Sequence, residues 1–388
     1  MKVVLSSASY WPVLGGLQTI TQALACDMSQ HGHTVQVVTQ RYPRTLPPFE
    51  RVEGIPVHRW LFLAPDGALI RRGRWDLWLA GLYAAPAIRL QFSRLMTQFR
   101  PEVVNVHFPD AQSPFVLRLR EQYPFRLVVS LHGDEIERWA TNGIERSGDK
   151  RHLDVQELQR LRQILQKADS VIACSRYLLD EAIKLEPSIA GKSTVIHNGV
   201  DLQRFRDQQA YQRPRRYVFA FGRLTYKKGF DLLVEAFARV APAFPAVDLL
   251  IAGDGEERHT LAHQVSALNL AERVQFWGQA TPEDVVQLLK GCEFVVVPSR
   301  REPFGIVVLE AMAAGKAVLA TNVGGLPEIL AGSANYSVSV SVTSLAEAMR
   351  EWCHHPAEVR EIGRSNLTRV ADFGWPGALQ SYRQCICG

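Results

Sequence analysis

Short continuous apolar runs alternate with amphipathic segments along this chain, and the rhythm stops once and restarts. The first half carries apolar runs near 2–6, 34–39, 57–61, 102–106, 126–130, 169–173 and 194–196. Between them, segments such as 17–31, 76–99, 153–167 and 176–185 repeat apolar residues at helical spacing. The stretch Gln203–Arg216 is rich in Gln and Arg, has no apolar period and contains Pro214. Beyond it come runs at 216–221, 247–252, 273–277, 293–298 and 317–321, with helical patterns at 229–240, 257–268, 282–291 and 305–314. A continuous apolar run, unlike an alternating one, marks a strand buried on both faces, which is a parallel strand covered by helices. The pattern predicts an α/β chain of two doubly wound, Rossmann-like domains. Their expected limits are 1–205 and 206–372, with a terminal helical segment at 373–388.

A length of 388 residues suits two domains, each able to bury its own core. Hydrophobic residues at 47% and charged residues at 21% exclude a disordered chain. No apolar run reaches the roughly 18 residues of a spanning helix. The opening Met1-Lys2-Val3-Val4-Leu5-Ser6 reads as a first strand, too short in apolar length for a signal peptide. The six cysteines are scattered, with only Cys385 and Cys387 close in sequence, which points to reduced thiols and a cytoplasmic protein.

Charge is placed unevenly. Residues 1–205 hold 25 Lys/Arg against 20 Asp/Glu, so the whole net charge of +5 lies there, and within 41–100 the count is 10 against 4. Trp60, Trp75 and Trp78 are interleaved with those charges. Such a stretch either sits on an anionic surface or is a solvated face above ordinary core tryptophans.

In open parallel sheets ligands sit beyond the carboxyl ends of the strands, so residues just after strands carry the chemistry. Gly15-Gly16 follows the first strand and opens a helix, where backbone can approach a phosphate; it is not a dinucleotide fingerprint. His132, followed by Gly133-Asp134-Glu135, ends the strand Leu127–Leu131 and can donate to a ligand hydroxyl, act as a base, or merely cap a turn. Asn198-Gly199-Val200-Asp201 lies near the expected boundary and reads as a turn or hinge. Arg223 and Lys228 span a loop that ends in Gly229 at a helix start, the makings of an anion site. Glu302-Pro303-Phe304-Gly305 and then Glu310 in the following helix supply two carboxylates, which suit a diol ligand or an acid–base pair. Gly324-Gly325-Leu326-Pro327-Glu328 forms one more glycine-rich loop.

Taken in order over nearly the whole chain, these motifs, with Gly253-Asp254-Gly255, resemble the GT-B-fold glycosyltransferases, in particular the retaining family-4 enzymes that use nucleotide sugars. The resemblance implies two Rossmann-like domains facing a central cleft. It assigns Arg223 and Lys228 to the diphosphate and Glu310 to the ribose hydroxyls. Glu302 and the amides after Phe304, at Gly305 and Ile306, would hold the donor sugar, with His132 contacting it from the other domain. Gly16 would lie beside the phosphate and acceptor, and the base would rest near Trp277-Gly278-Gln279. Three departures stand out: Gln18 replaces a common Glu, Ala331–Ser337 replaces the usual last strand of the second sheet, and the C-terminal helix at 373–388, which the resemblance implies crosses back to the N-terminal domain, is short.

The function expected on that resemblance is retaining transfer of a hexosyl group from a nucleoside-diphosphate sugar to a saccharide or lipid-linked saccharide. UDP-glucose is the favoured donor. No Asp-x-Asp occurs, so no metal and no other cofactor is expected, and Arg223, Lys228 and helix N-termini would neutralise the leaving group. Nucleic acid is not an expected partner. The basic run through Arg71-Arg72-Gly73-Arg74-Trp75 predicts peripheral attachment to an anionic membrane face. A nucleotide-sugar epimerase of the same fold, or a non-catalytic nucleotide-sugar-binding protein, are the alternatives.

Overall fold

The computed structural model describes residues 1–11, 16–63, 70, 73–140 and 155–388. It divides into two compact units. One holds the described residues of Met1–Ile144 and Asp149–His197 together with Ala378–Gly388; the other holds Asn198–Gly377. The division thus falls between His197 and Asn198, not at 205/206, because Val200 already bonds within the second unit: its N–H donates to Phe373 O at 2.9 Å, and Trp375 N–H donates to Val200 O. Gly199 lies just inside the second unit. A Cβ there would lie 2.9 Å from Trp375 Cα, so only glycine fits beneath that residue.

The first unit is built on an eight-stranded sheet. Its strands are β1 (Lys2–Ser7), β2 (Thr34–Gln40), β3 (Phe49–Val52), β4 (Ile55–Trp60), β5 (Val103–His107), β6 (Arg126–Leu131), β7 (Ser170–Ala173) and β8 (Ser193–Val195). They lie in the order β3-β4-β2-β1-β5-β6-β7-β8. All pairings are parallel except that of β3 with β4. Every residue of β5 is buried, Asn105 and His107 included, as in a parallel strand covered on both faces. Strand β3 carries no apolar run to mark it in the sequence, because its residues alternate between exposed and half-buried at the sheet edge. A two-residue turn, Glu53-Gly54, folds it back on β4, both residues taking the positive φ that such tight hairpins need.

Six described helices belong wholly to this unit: α1 (Gly16–Gln30), α2 (Trp75–Phe99), α3 (Ser113–Arg120), α4 (Asp134–Ala140), α5 (Val155–Lys167) and α6 (Arg176–Leu185). Helix α2 buries Gly81, Ala85, Ile88, Phe92, Leu95, Met96 and Phe99, a single face at i, i+4, i+7 spacing. Phe92 meets Trp60 edge to face at 4.5 Å, which makes Trp60 a core residue.

The second unit carries β9 (Arg216–Phe221), β10 (Val247–Ala252), β11 (Val274–Gly278), β12 (Val295–Val297), β13 (Val318–Thr321) and β14 (Tyr336–Val338), all parallel. Their order is β11-β10-β9-β12-β13-β14, so the winding reverses between β9 and β12. The segment doubted as a last strand does form one, β14, pairing Leu319 with Tyr336. The helices are α7 (Phe230–Val240), α8 (Arg258–Ala267), α9 (Pro282–Gly291), α10 (Ile306–Ala313), α11 (Leu326–Leu330), α12 (Val342–His354) and α13 (Pro356–Arg369). The core joins Phe237, Leu249, Phe294 and Trp352. The last helix, α14 (Trp375–Cys387), has its first three residues in the second unit and the rest in the first.

Candidate functional site

The reversal between β9 and β12 leaves a gap above the sheet where two loops diverge, the position at which doubly wound sheets bind ligands. Both loops carry the expected residues. After β9, Gly222 has φ 139° and its N–H donates to Ala252 O, while Leu224 N–H donates to Asp254 O. The neighbouring loop after β10 packs so tightly that a Cβ on Gly253 would meet Gly222 O at 1.9 Å. Gly253 N–H donates to Gly278 O at 2.7 Å, which ties in the end of β11. Three strand ends are thus stitched into one rim. Arg223 projects from that rim, exposed, with no acidic partner among the described residues.

A tight turn, Tyr226–Lys228, leads into α7 through Gly229, whose φ is 68°. A Cβ there would collide with Pro298 O at 2.0 Å, so this glycine lets the loops after β9 and β12 touch. Lys228 Nζ reaches Glu302 Oε2 at 2.5 Å. Arg300 clasps the same turn: it donates to Tyr226 O at 3.0 Å, lies over the Tyr226 ring, and forks onto both Asp231 oxygens at 2.6 and 2.7 Å. Glu302 is buried, and its backbone rests on Gly324, where a Cβ would stand 1.9 Å from Glu302 O. The Gly324-Gly325 segment is therefore a support for Glu302, leading directly into α11 rather than remaining a loop.

Gly305, with φ 110°, starts α10; Phe304 beside it is buried and Ile306 half-buried. Glu310 faces Arg204, with Arg204 NH1 3.7 Å from Glu310 Oε1. Burial raises the Glu310 carboxyl to about 7, against a lowering pull from Arg204. Arg204 escapes the sequence reading because it lies in the stretch taken as an inert break. It is placed by Asp201, which accepts from Gln203 N–H at 3.0 Å and starts the turn Gln203–Phe205. Arg204 also donates to Pro282 O at 2.8 Å, and its Nε has no partner among the described residues. Trp277 is half-buried, edge-on to Tyr211 at 5.2 Å, while Gln279 is exposed.

In the first unit, Gly16 is the first residue of α1; Gly15 lies outside the described residues. His132 follows β6, buried, stacked on Phe108 at 4.4 Å. Its Nε2 lies 3.0 Å from His107 Nδ1. His107 was not singled out from sequence, although it ends β5 just as His132 follows β6, and the same rule would have found it. Burial pushes His107 down to about 3, and burial with the His107 neighbour holds His132 well below the ordinary histidine range. A neutral imidazole so hard to protonate is a hydrogen-bonding group, not a base for neutral pH. The N–H groups of His132 and Gly133 donate to the Glu135 carboxylate, whose pKa burial lifts to about 7. Among the described residues no group of three His, Cys, Asp or Glu side chains is placed to hold a metal ion.

Comparison with known proteins shows the family. The family model for glycosyl transferases group 1 matches residues 201–368, and that for glycosyltransferase family 4 matches residues 14–204. An uncharacterized glycosyltransferase of Methanocaldococcus jannaschii is 30% identical over 349 residues, covering 86% of this chain and 84% of that one. The chain belongs to the family-4 glycosyltransferases of GT-B fold. This glycosyltransferase is also 29% identical over 394 residues to the glycogen synthase of Mycobacterium tuberculosis, covering 97% of this chain and 92% of that one. In structure it is similar to the Anabaena protein HepE solved with UDP-glucose, with a TM-score of 0.77, 20% identity and coverage of 100% and 99%. At that identity the likeness concerns the fold.

Proposed function

We propose that this glycosyltransferase moves a hexosyl group, with retention, from UDP-glucose to a saccharide or lipid-linked saccharide at an anionic membrane surface. The observation that carries the reading is the rim at the β9/β12 reversal. There an unpaired Arg223 stands on the loop that also brings Lys228 onto Glu302. The guanidinium and ammonium take the diphosphate, Glu310 accepts from the ribose hydroxyls, and Glu302 holds the donor sugar. His132, kept neutral, hydrogen-bonds a sugar hydroxyl. Trp277 offers a partly exposed ring for the base.

In the transfer, the bond from the anomeric carbon to the phosphate oxygen breaks while one to the acceptor oxygen forms on the same face. The acceptor's proton passes to the departing phosphate. The charge that grows on that phosphate meets Arg223 and Lys228, so the reaction proceeds without a metal. HepE, a protein of the same fold, was solved with UDP-glucose, which supports the choice of donor.

The test is UDP release from UDP-glucose with and without an oligosaccharide acceptor, in excess chelator, with the product's anomeric configuration read by NMR. An α-linked product formed in chelator supports the reading. An inverted linkage, a strict metal requirement, or a preference for GDP-mannose each removes the corresponding part. UDP release that yields an epimerised free sugar points to the epimerase instead.

A further inference from the structure

Helix α2 is apolar on two faces, and only one of them is used by the fold. Opposite the buried face lie Trp75, Leu79, Leu82, Tyr83 and Leu90, each between 43% and 83% exposed. At 3.6 residues per turn these positions fall on one stripe, about 22 Å long. Arg89 and Arg94, both exposed, fall on either side of that stripe, and neither has an acidic partner among the described residues. The helix holds one acidic residue, Asp76, already engaged by Arg74 at 2.9 Å. Arginines flanking a stripe of Trp, Tyr and Leu, with no free acid, match a headgroup layer: rings and leucines enter the acyl boundary while guanidinium groups reach phosphates. No described helix is long and apolar enough to cross a membrane, so the helix would lie along the surface rather than span it.

We infer that the exposed stripe of α2 is the surface by which the enzyme docks on an anionic lipid bilayer. The inference rests on the membrane part of the function proposed above and names the residues that perform it. A second copy of the chain is the less fitting occupant, because two such stripes face to face would bring the unpaired Arg89 and Arg94 of each copy together, like charge against like. Arg71 and Arg72 of the basic run lie outside the described residues.

The experiment is co-sedimentation of the full chain, without nucleotide or acceptor, with vesicles of phosphatidylcholine alone or mixed with phosphatidylglycerol. Trp fluorescence is followed in parallel. The wild-type protein is expected to bind only the anionic vesicles, with a blue shift, and to be released by salt. Replacing Arg89 and Arg94 by Ala should lower partitioning about 30-fold, and Leu82→Ser with Tyr83→Ser should abolish the blue shift. All four positions are exposed, so circular dichroism should be unchanged. Equal binding to both vesicle types, or none to either, overturns the inference. So does a dimer by light scattering that Tyr83→Ser dissociates, since the stripe would then be a protein interface. Transfer from UDP-glucose is assayed separately with soluble and with lipid-linked saccharides: its absence with both would sink the proposed reaction and leave the vesicle result standing.

Discussion

Lys228 Nζ stands 2.5 Å from Glu302 Oε2, so a cation assigned to the diphosphate and a carboxylate assigned to the sugar hold one another before a donor arrives. Glu302 is 8% exposed and Lys228 22%, which shields the pair from water on one side more than the other. A polar loop suggests an exposed lysine, yet Lys228 is half-buried against its carboxylate partner.

Two substitutions separate binding from folding here. Lys228→Ala leaves Glu302 buried without its cation and is expected to cost about 1–3 kcal/mol of stability besides lowering turnover. Arg223→Ala removes an exposed, unpaired guanidinium, so urea unfolding should be unchanged while kcat/KM falls about 100-fold or more. Equal stability losses in the two variants would contradict the pairing; unchanged kcat/KM in Arg223→Ala would remove that residue from the diphosphate.

Glu310 ties nucleotide affinity to pH. Burial raises its carboxyl from 4.5 to about 7, so the fold favours the protonated form. Stability from this group is therefore present below 4.5 and is lost as pH rises through 7. Ribose recognition runs the other way, since the ionised carboxylate is the stronger acceptor. UDP affinity by calorimetry should rise about tenfold from pH 6 to pH 8, and Glu310→Gln should flatten that component while weakening binding throughout. A slope retained in Glu310→Gln would assign the dependence to the nucleotide's own phosphate.

The His107–His132 pair should stay uncharged across the working range. Both rings are buried, and the groups around them are the Glu135 carboxyl, the Cys174 thiol and the Tyr382 phenol. Burial lifts the Glu135 carboxyl to about 7 and raises the Tyr382 phenol, so below pH 7 neither offers a full negative charge that would hold a proton on the imidazoles. Nitrogen-15 spectra of the two imidazoles from pH 8 to pH 5 should show neutral tautomers only. A signal of an imidazolium in that window would overturn the assignment of His132 as a neutral hydrogen-bonding group.

Gly324→Ala tests the support under Glu302 without touching a ligand-binding side chain. At φ 57° with Glu302 O only 1.9 Å from the new methyl, the backbone of the Glu302 loop has to move. Misplacement of a reacting group by an ångström can cost about 100-fold in rate. Gly332→Ala, also at positive φ but with open space around it, is the control: it carries the conformational strain and none of the collision. Equal kinetics for the two variants would show that the contact is unimportant.

Much of this molecule was written in local sequence. Continuous apolar runs such as Tyr217–Ala220 and Leu249–Ala252 determine buried parallel strands, because only a strand covered on both faces needs apolar residues at every position. Glycines at strand ends mark where the backbone turns or two loops touch, as Gly229 and Gly253 do. What lies far apart in sequence was decided by the tertiary structure. The edge strand β3 owes its place to pairing with β4, not to a pattern of its own. Arg204, in a stretch without period, becomes Glu310's partner only because Val200 bonds to the segment around Phe373 and carries the chain into the second unit. Likewise, the sequence of α2 reads as one amphipathic helix among several, and nothing local tells Phe92 from Leu90. Burial depends on what packs against each face, and only the folded unit shows that one apolar face was taken and the other left in water.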